Sequence, residues 1–299
     1  PYGTITVGEK GEELAAYDEI VNDVCAFSDD GRGVQNDEIM REAMKKISTY
    51  NKIVAAHCED NSLLAGGYIH KGEYAQAHGH RGICSESEWK QIERDLQLVK
   101  ETGVKYHVCH ISTKESVALI RKARAEGLDV TCETAPHYLT MNDSMLQEDG
   151  RFKMNPPIRS EEDREALIAG ILDGTIGMIA TDHAPHSEED KLKGMAGMVG
   201  SETAFGVCYT KLCREEGLPL ELLVHLMSTR PAEILGLAKG QLEPGYDADF
   251  VLVDLDTPYT VDKEKLHSKS HNCPFDGAQL YGRVYATIKG GKLTYQAEE

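Results

Sequence analysis

The stretch "KYHVCHISTKESVALIRKARAEGLDVTCETAP", residues 105–136, decides the fold. "KYHVCHIST" reads as a strand. "KESVALIRKARAEG" reads as a helix that ends at Gly127, and "LDVTCETAP" reads as the next strand. Strand, helix and strand in immediate succession form the unit of a parallel sheet with helices packed outside it.

The same alternation extends in both directions. Asn36 precedes "DEIMREAMKKIST", whose Ile39, Met40, Ala43, Met44 and Ile47 share one helical face, so both methionines belong to the core. "NKIVAAHCED" follows as a short apolar strand. Ser85 and Glu88 predict a capping box for a helix carrying Trp89, Ile92, Leu96 and Val99, closed by Gly103. Ser160 and Asp163 cap a helix with Leu167, Ile168, Ile171 and Leu172, which leads into "GTIGMIATDHAPHS", residues 174–187. The character changes near Gly236. "GQLEPGYDADFVLVDLDTPYTV" and "YGRVYATIKGGKLTYQ" read as short strands with glycine turns. The expected organisation is a (β/α)8 barrel over residues 1–235 and a small β region over 236–299.

Composition narrows the function. The 299 residues are 40% hydrophobic and 27% charged, with a formal net charge of -18. A surface this acidic argues against nucleic acid and anionic membranes as partners. No apolar run approaches the roughly 18 residues of a membrane helix. No signal peptide opens the sequence, and none of the eight cysteines forms a CxxC pair. Reduced thiols in a cytoplasmic protein are expected.

Four strand-like runs end in a possible metal ligand. "VCAFSDDG" ends in Asp29 and Asp30, "IVAAHCED" contains His57, "YHVCHIST" contains His110, and "GMIATDHAPH" delivers Asp182. In a (β/α)8 barrel the C-terminal strand ends meet at one mouth, so residues distant in sequence can share a site. Imidazole and carboxylate suit a borderline divalent ion such as zinc. Each signal alone is weak: "DDG" is usually a turn, and a histidine after an apolar strand usually belongs to the core or rim. "DHAPH", with two histidines and Pro185, is more specific, and the recurrence at four strand ends carries the reading.

With "SDDGRGVQ", "VAAHCEDNSL", "YHVCHISTKESV", "CETAPHYLT", "FKMNPPIRSEEDREALI", "GTIGMIATDHAPHS" and "GSETAFG" in this order, the sequence resembles the class I dihydroorotases of the amidohydrolase superfamily over essentially its whole length. The resemblance implies an amidohydrolase-type barrel with a small β domain and two zinc ions. It implies that Asp30 bridges them, that His57 and His110 hold one, and that Asp182 holds the other and shuttles a proton. Asn155 and His186 would contact the pyrimidine ring or its carboxylate, and a hydroxide would attack the ring amide. The implied reaction is the reversible hydrolysis of L-dihydroorotate to N-carbamoyl-L-aspartate. The family's His-x-His pair is absent from these residues, so the sequence reads as starting near the end of the third barrel strand. The loop "SEEDKLKGMAGMVGSETAFG" is about four residues shorter than the family's.

Other polar residues have blander expectations. Glu59 and Asp60 read as a solvated loop, His137 as a loop-orienting residue, and His70, His78 and His80 as surface positions. Strand alternation points Cys58 and Cys109 away from the metal side. "SEEDK" reads as a solvated acidic run. Two readings compete with a dihydroorotase. One is a hydantoinase- or allantoinase-type cyclic amidase. The other is a catalytically silent scaffold for aspartate transcarbamoylase, suggested by the missing His-x-His. A homodimer and association with that transferase both stay open.

Overall fold

The computed structural model describes residues 1–297, and they divide into two compact units. The first comprises Pro1–Thr134, Met141–Leu146 and Pro156–Gly177. The second comprises Ala135–Thr140, Gln147–Asn155 and the chain from Met178 onward.

The first unit is built on parallel strands that pair in chain order: Tyr2–Gly3, Ala26–Phe27, Ile53–Ala56, Lys105–Val108 and Val130–Thr134. The helices Asp37–Thr49, Glu86–Thr102 and Lys114–Ala125 connect successive strands, and Glu161–Leu172 follows the last. This is the repeating arrangement the sequence implied. The first helix starts where Asn36 accepts hydrogen bonds from the Glu38 and Ile39 amides at 2.9 and 3.1 Å. It buries Met40, Ala43, Met44 and Ile47. Ser160 and Asp163 close a reciprocal capping box as expected, and Asp163 also accepts from the Lys114 amide at 3.0 Å. One carboxylate thereby ties the starts of two neighbouring helices together.

Two expectations fail. Ser85 does not cap the Glu86–Thr102 helix: its backbone is already helical, at φ -66° and ψ -28°, and its side chain makes no cap hydrogen bond. A residue caps from an extended conformation, which aims its oxygen at the free amides. Glu88 is therefore released from the box and points elsewhere. His70 is not a surface residue. The glycine-rich segment folds into a parallel pairing of Ile69–His70 with Gly82–Ile83, and His70 is buried with Arg159 Nη1 3.3 Å from its Nδ1.

In the second unit, Phe250–Asp254, Arg283–Lys289 and Lys292–Gln296 form an antiparallel sheet. Gly290 and Gly291 link the last two strands, both at positive φ, as a two-residue hairpin of this type requires. Val207, Val261, Cys273 and Leu280 form a small core with Tyr259, Leu266 and Phe275 packed on it. "SEEDK" contributes a short exposed helix, Glu188–Leu192, capped by Ser187. Among the described residues, no helix is long and apolar enough to cross a membrane.

Burial, and then the charge of Arg159, push the His70 imidazole down from 6.5 to about 4. The native state holds the ring neutral, while the unfolded chain takes up a proton below its ordinary value. The stabilisation is therefore complete above pH 6.5 and is lost as pH falls towards 4. Urea unfolding of His70→Gln should show a flatter decline of stability across that window than the parent protein. Parallel declines would show that His70 is not the responsible group.

Candidate functional site

Register places the chemistry on one face of the first unit's sheet. Ala55 pairs with His107, and His107 with Thr131. Their side chains point one way, and by alternation His57, Cys109 and Glu133 continue that face. Val54, Tyr106, Val108 and Cys132 point the other way, towards the helices. Tyr106 Oη donates to Asp95 Oδ2 on the Glu86–Thr102 helix at 2.6 Å, and Cys58 Sγ lies 3.3 Å from Tyr106 Oη. Cys58 thus packs away from the site as expected. Burial, reinforced by the Asp95 charge, pushes its thiol well up.

Strict alternation would send His110 to the helix side with Val108. Its φ of +34° interrupts the alternation. His110 Nε2 comes to 3.0 Å from His57 Nδ1, with both rings buried. Positive φ on a residue with a Cβ is costly and concentrates at functional positions. Two imidazole nitrogens face to face can share one proton or offer two lone pairs to a cation. Two zinc–nitrogen bonds of about 2.0–2.1 Å at a tetrahedral angle separate the nitrogens by about 3.3 Å, close to the observed spacing. His57 Nε2 is buried without a hydrogen-bond partner. Glu59 Oε2 stands 3.8 Å from it, so Glu59 belongs to the surroundings of His57 and not to a merely solvated loop. The donor set fits a divalent ion.

The two aspartates of "DDG" have different roles. Asp29 is buried, and its Oδ1 accepts from the Ile5 and Thr6 amides at 2.8 and 3.0 Å. Its Oδ2 accepts from the Thr6 hydroxyl. Asp29 is committed to holding the backbone, whereas Asp30 is exposed.

A second group of potential ligands was missed in the sequence. One donor atom from each of His107, Cys109 and Glu133 lies within 4.8 Å of the others, so Cys109 shares the face of His57 and lies among potential ligands, whereas the sequence reading points it away from the metal side. His107 Nε2 is 3.2 Å from Glu133 Oε2, and His107 Nδ1 is 2.8 Å from Thr131 Oγ1. Burial raises the Glu133 carboxyl, but the hydrogen bond and charge of His107, the charge of His110 and the His110 backbone outweigh it and hold the group low. The clue in the sequence was the period-two spacing of residues 107, 109, 131 and 133 on adjacent strands.

In the second unit, "TDHAPH" follows the strand Met178–Ile179. Asp182 is half-buried at a φ of +46°. The His183 ring accepts from the Gly200 and Ser201 amides at 3.1 and 3.2 Å. The Ala184 amide donates to the Met198 carbonyl at 2.9 Å, and the His186 carbonyl accepts from Ser270 Oγ at 2.7 Å. Gly197 allows this approach: a Cβ there would lie 2.7 Å from Ala184 Cβ. His186 is half-buried, and Asn155 Oδ1 is buried without a hydrogen-bond partner. His137 is buried on the short helix Pro136–Thr140, against the Tyr138 ring. The structure thus joins His57 to His110, and groups Asp182 with His186 on one braced loop.

Residues 6–294 match the amidohydrolase family. The chain is 47% identical over 304 residues to a dihydroorotase of Fusobacterium nucleatum, covering 100% of this chain and 72% of that protein. It is 45% identical to a dihydroorotase of Bacillus subtilis, covering 99% of this chain and 71% of that one. Among solved structures, an L-hydantoinase (dihydropyrimidinase) from Arthrobacter aurescens superposes with a TM-score of 0.87 at 28% identity, covering 100% of this chain and 70% of that one. A dihydropyrimidinase from Brevibacillus agri gives 0.81 at 22% identity, over 93% and 65%, and shows the shared fold.

His183→Ala removes the acceptor of the Gly200 and Ser201 amides. Hydrogen exchange at those two amides should accelerate by about fivefold or more, the equivalent of about 1 kcal/mol per lost bond. Unchanged exchange would mean that the ring does not brace the turn.

Proposed function

The chain belongs to the amidohydrolase family and, within it, to the dihydroorotases, and on that premise we propose how its residues carry the reaction. It is a cyclic amidohydrolase that hydrolyses L-dihydroorotate reversibly to N-carbamoyl-L-aspartate, a step of pyrimidine biosynthesis. Amidohydrolases are generally metal-dependent, and zinc is the ion proposed here. The carrying observation is the approach of His57 Nδ1 to His110 Nε2 at 3.0 Å.

His57 and His110 would hold a divalent ion, and Asp30 and Asp182 are the carboxylates proposed as further metal ligands. The chemistry such an ion would supply is polarisation of the ring amide carbonyl and a lowering of the pKa of water to about 7. Water adds to that carbonyl carbon, and the carbon–nitrogen bond of the ring breaks. Asp182 takes the proton of the attacking water and returns it to the departing ring nitrogen, so the charge balances in both directions. Asn155 suits recognition of the ring, because its buried Oδ1 has no protein hydrogen bond to give up. His186 faces the substrate carboxylate in this reading. None of the eight cysteines is in a disulfide, which suits a reducing compartment, for which the cytoplasm is proposed.

The test is dihydroorotate ring-opening by the purified protein. A chelator should abolish turnover and zinc should restore it. Asp182→Asn should lower kcat by about a hundredfold to ten-thousandfold, the usual worth of a positioned acid–base group, with a smaller change in KM. Turnover indifferent to chelation, or a wild-type kcat for Asp182→Asn, would overturn the assignment. Faster turnover of hydantoins than of dihydroorotate would move the substrate to the hydantoinase class.

A further inference from the structure

We infer that Glu88, on the first turn of the helix Glu86–Thr102, is a positioning residue that sets the place of His110 by clamping the turn that follows it. Released from the capping box, the Glu88 side chain is buried and reaches the "HIST" turn. Its Oε1 accepts from the Ser112 and Thr113 amides at 3.0 and 3.1 Å. The same oxygen accepts from Thr113 Oγ1 at 3.0 Å and Ser116 Oγ at 2.7 Å. Oε2 accepts from the Ser112 hydroxyl. Arg159 closes the network from outside: Nη2 is 3.9 Å from Glu88 Oε2, and Nε donates to Ser112 Oγ at 3.0 Å.

This network surrounds the segment that must hold His110 at positive φ. Ser112 is two residues beyond His110, and Thr113 starts the next helix by accepting from the Ser116 amide at 3.3 Å. From the other side, the Ile111 amide donates to the Glu133 carbonyl at 2.8 Å. A buried carboxylate and a ladder hydrogen bond therefore fix the turn that follows a strained residue. Glu88 touches neither ring, so its effect on chemistry passes through the backbone. Glutamine has the shape but not the acceptors. Its amide nitrogen would replace one oxygen, and would face either the guanidinium and the Ser112 hydroxyl or the two backbone amides. Outer groups of this kind usually alter metal affinity by about 10–100-fold.

The inference rests on the reading of His110 as an ion ligand, and the experiment separates the two. Zinc affinity of the purified protein is measured by competition with a chromophoric chelator, with circular dichroism as the check on folding. Glu88→Gln should keep its helix content and bind zinc about 10–100-fold more weakly. Its turnover should return at saturating zinc, which a merely structural lesion would not allow. Wild-type affinity, or a loss of turnover that zinc does not restore, overturns the inference. If Glu88→Gln does not fold, Ser112→Ala removes one hydroxyl donor and keeps both backbone bonds. It should weaken zinc binding about two- to tenfold, and unchanged affinity overturns the inference. His110→Ala is the control: if it binds zinc as the parent does, the ligand reading of His110 fails independently of Glu88.

Discussion

Everything in the first unit depends on the register of the parallel ladder that pairs Ala55 with His107 and His107 with Thr131. A slip of one residue would turn every side chain to the opposite face. His107, Cys109 and Glu133 would then meet the helices, and Tyr106, Val108 and Cys132 would face the site. The register is enforced from the helix side. Tyr106, Val108 and Cys132 are almost fully buried, and Tyr106 is hydrogen-bonded to Asp95. The inner face can carry imidazoles and carboxylates because the outer face alone specifies the pairing.

The inner face is polar and still buried, so each group needs a partner. The partners are mostly other chemistry-bearing groups. Glu133 takes His107, His107 takes Thr131, and His57 faces His110. Such a network orders these side chains in advance, which lowers the ordering cost of any binding they take part in. The strain at His110 is sustained because its surroundings over-determine it: Glu88 grips Ser112 and Thr113, and the Glu133 carbonyl accepts from the Ile111 amide. In the second unit the means differ. There a loop is laid back on "DHAPH", with a glycine where it passes closest and a histidine ring accepting two amides.

The succession of strands and helices was legible because it rests on local signals. Asn36 and the apolar spacing behind it specify one helix, and Ser160 with Asp163 another. The polar residues that follow these strands, His57 and Asp182 among them, were legible for the same reason, since a polar residue closing an apolar run stands out. The errors share one origin. Ser85 and Glu88 match a capping box, and His70 sits among glycines, yet both Glu88 and His70 answer to partners far along the chain, Ser112 and Arg159. No window of sequence contains those partners.

By itself the sequence determined the parallel α/β architecture and which histidines and aspartates stand at the strand ends, since periodicity and caps are local properties. Only the tertiary structure decided which of two adjacent aspartates is committed to the backbone, which way His110 turns, and which carboxylate grips the turn that follows it. Those outcomes depend on long-range hydrogen bonds formed in the absence of water, and such bonds exist only once the chain has brought distant residues together.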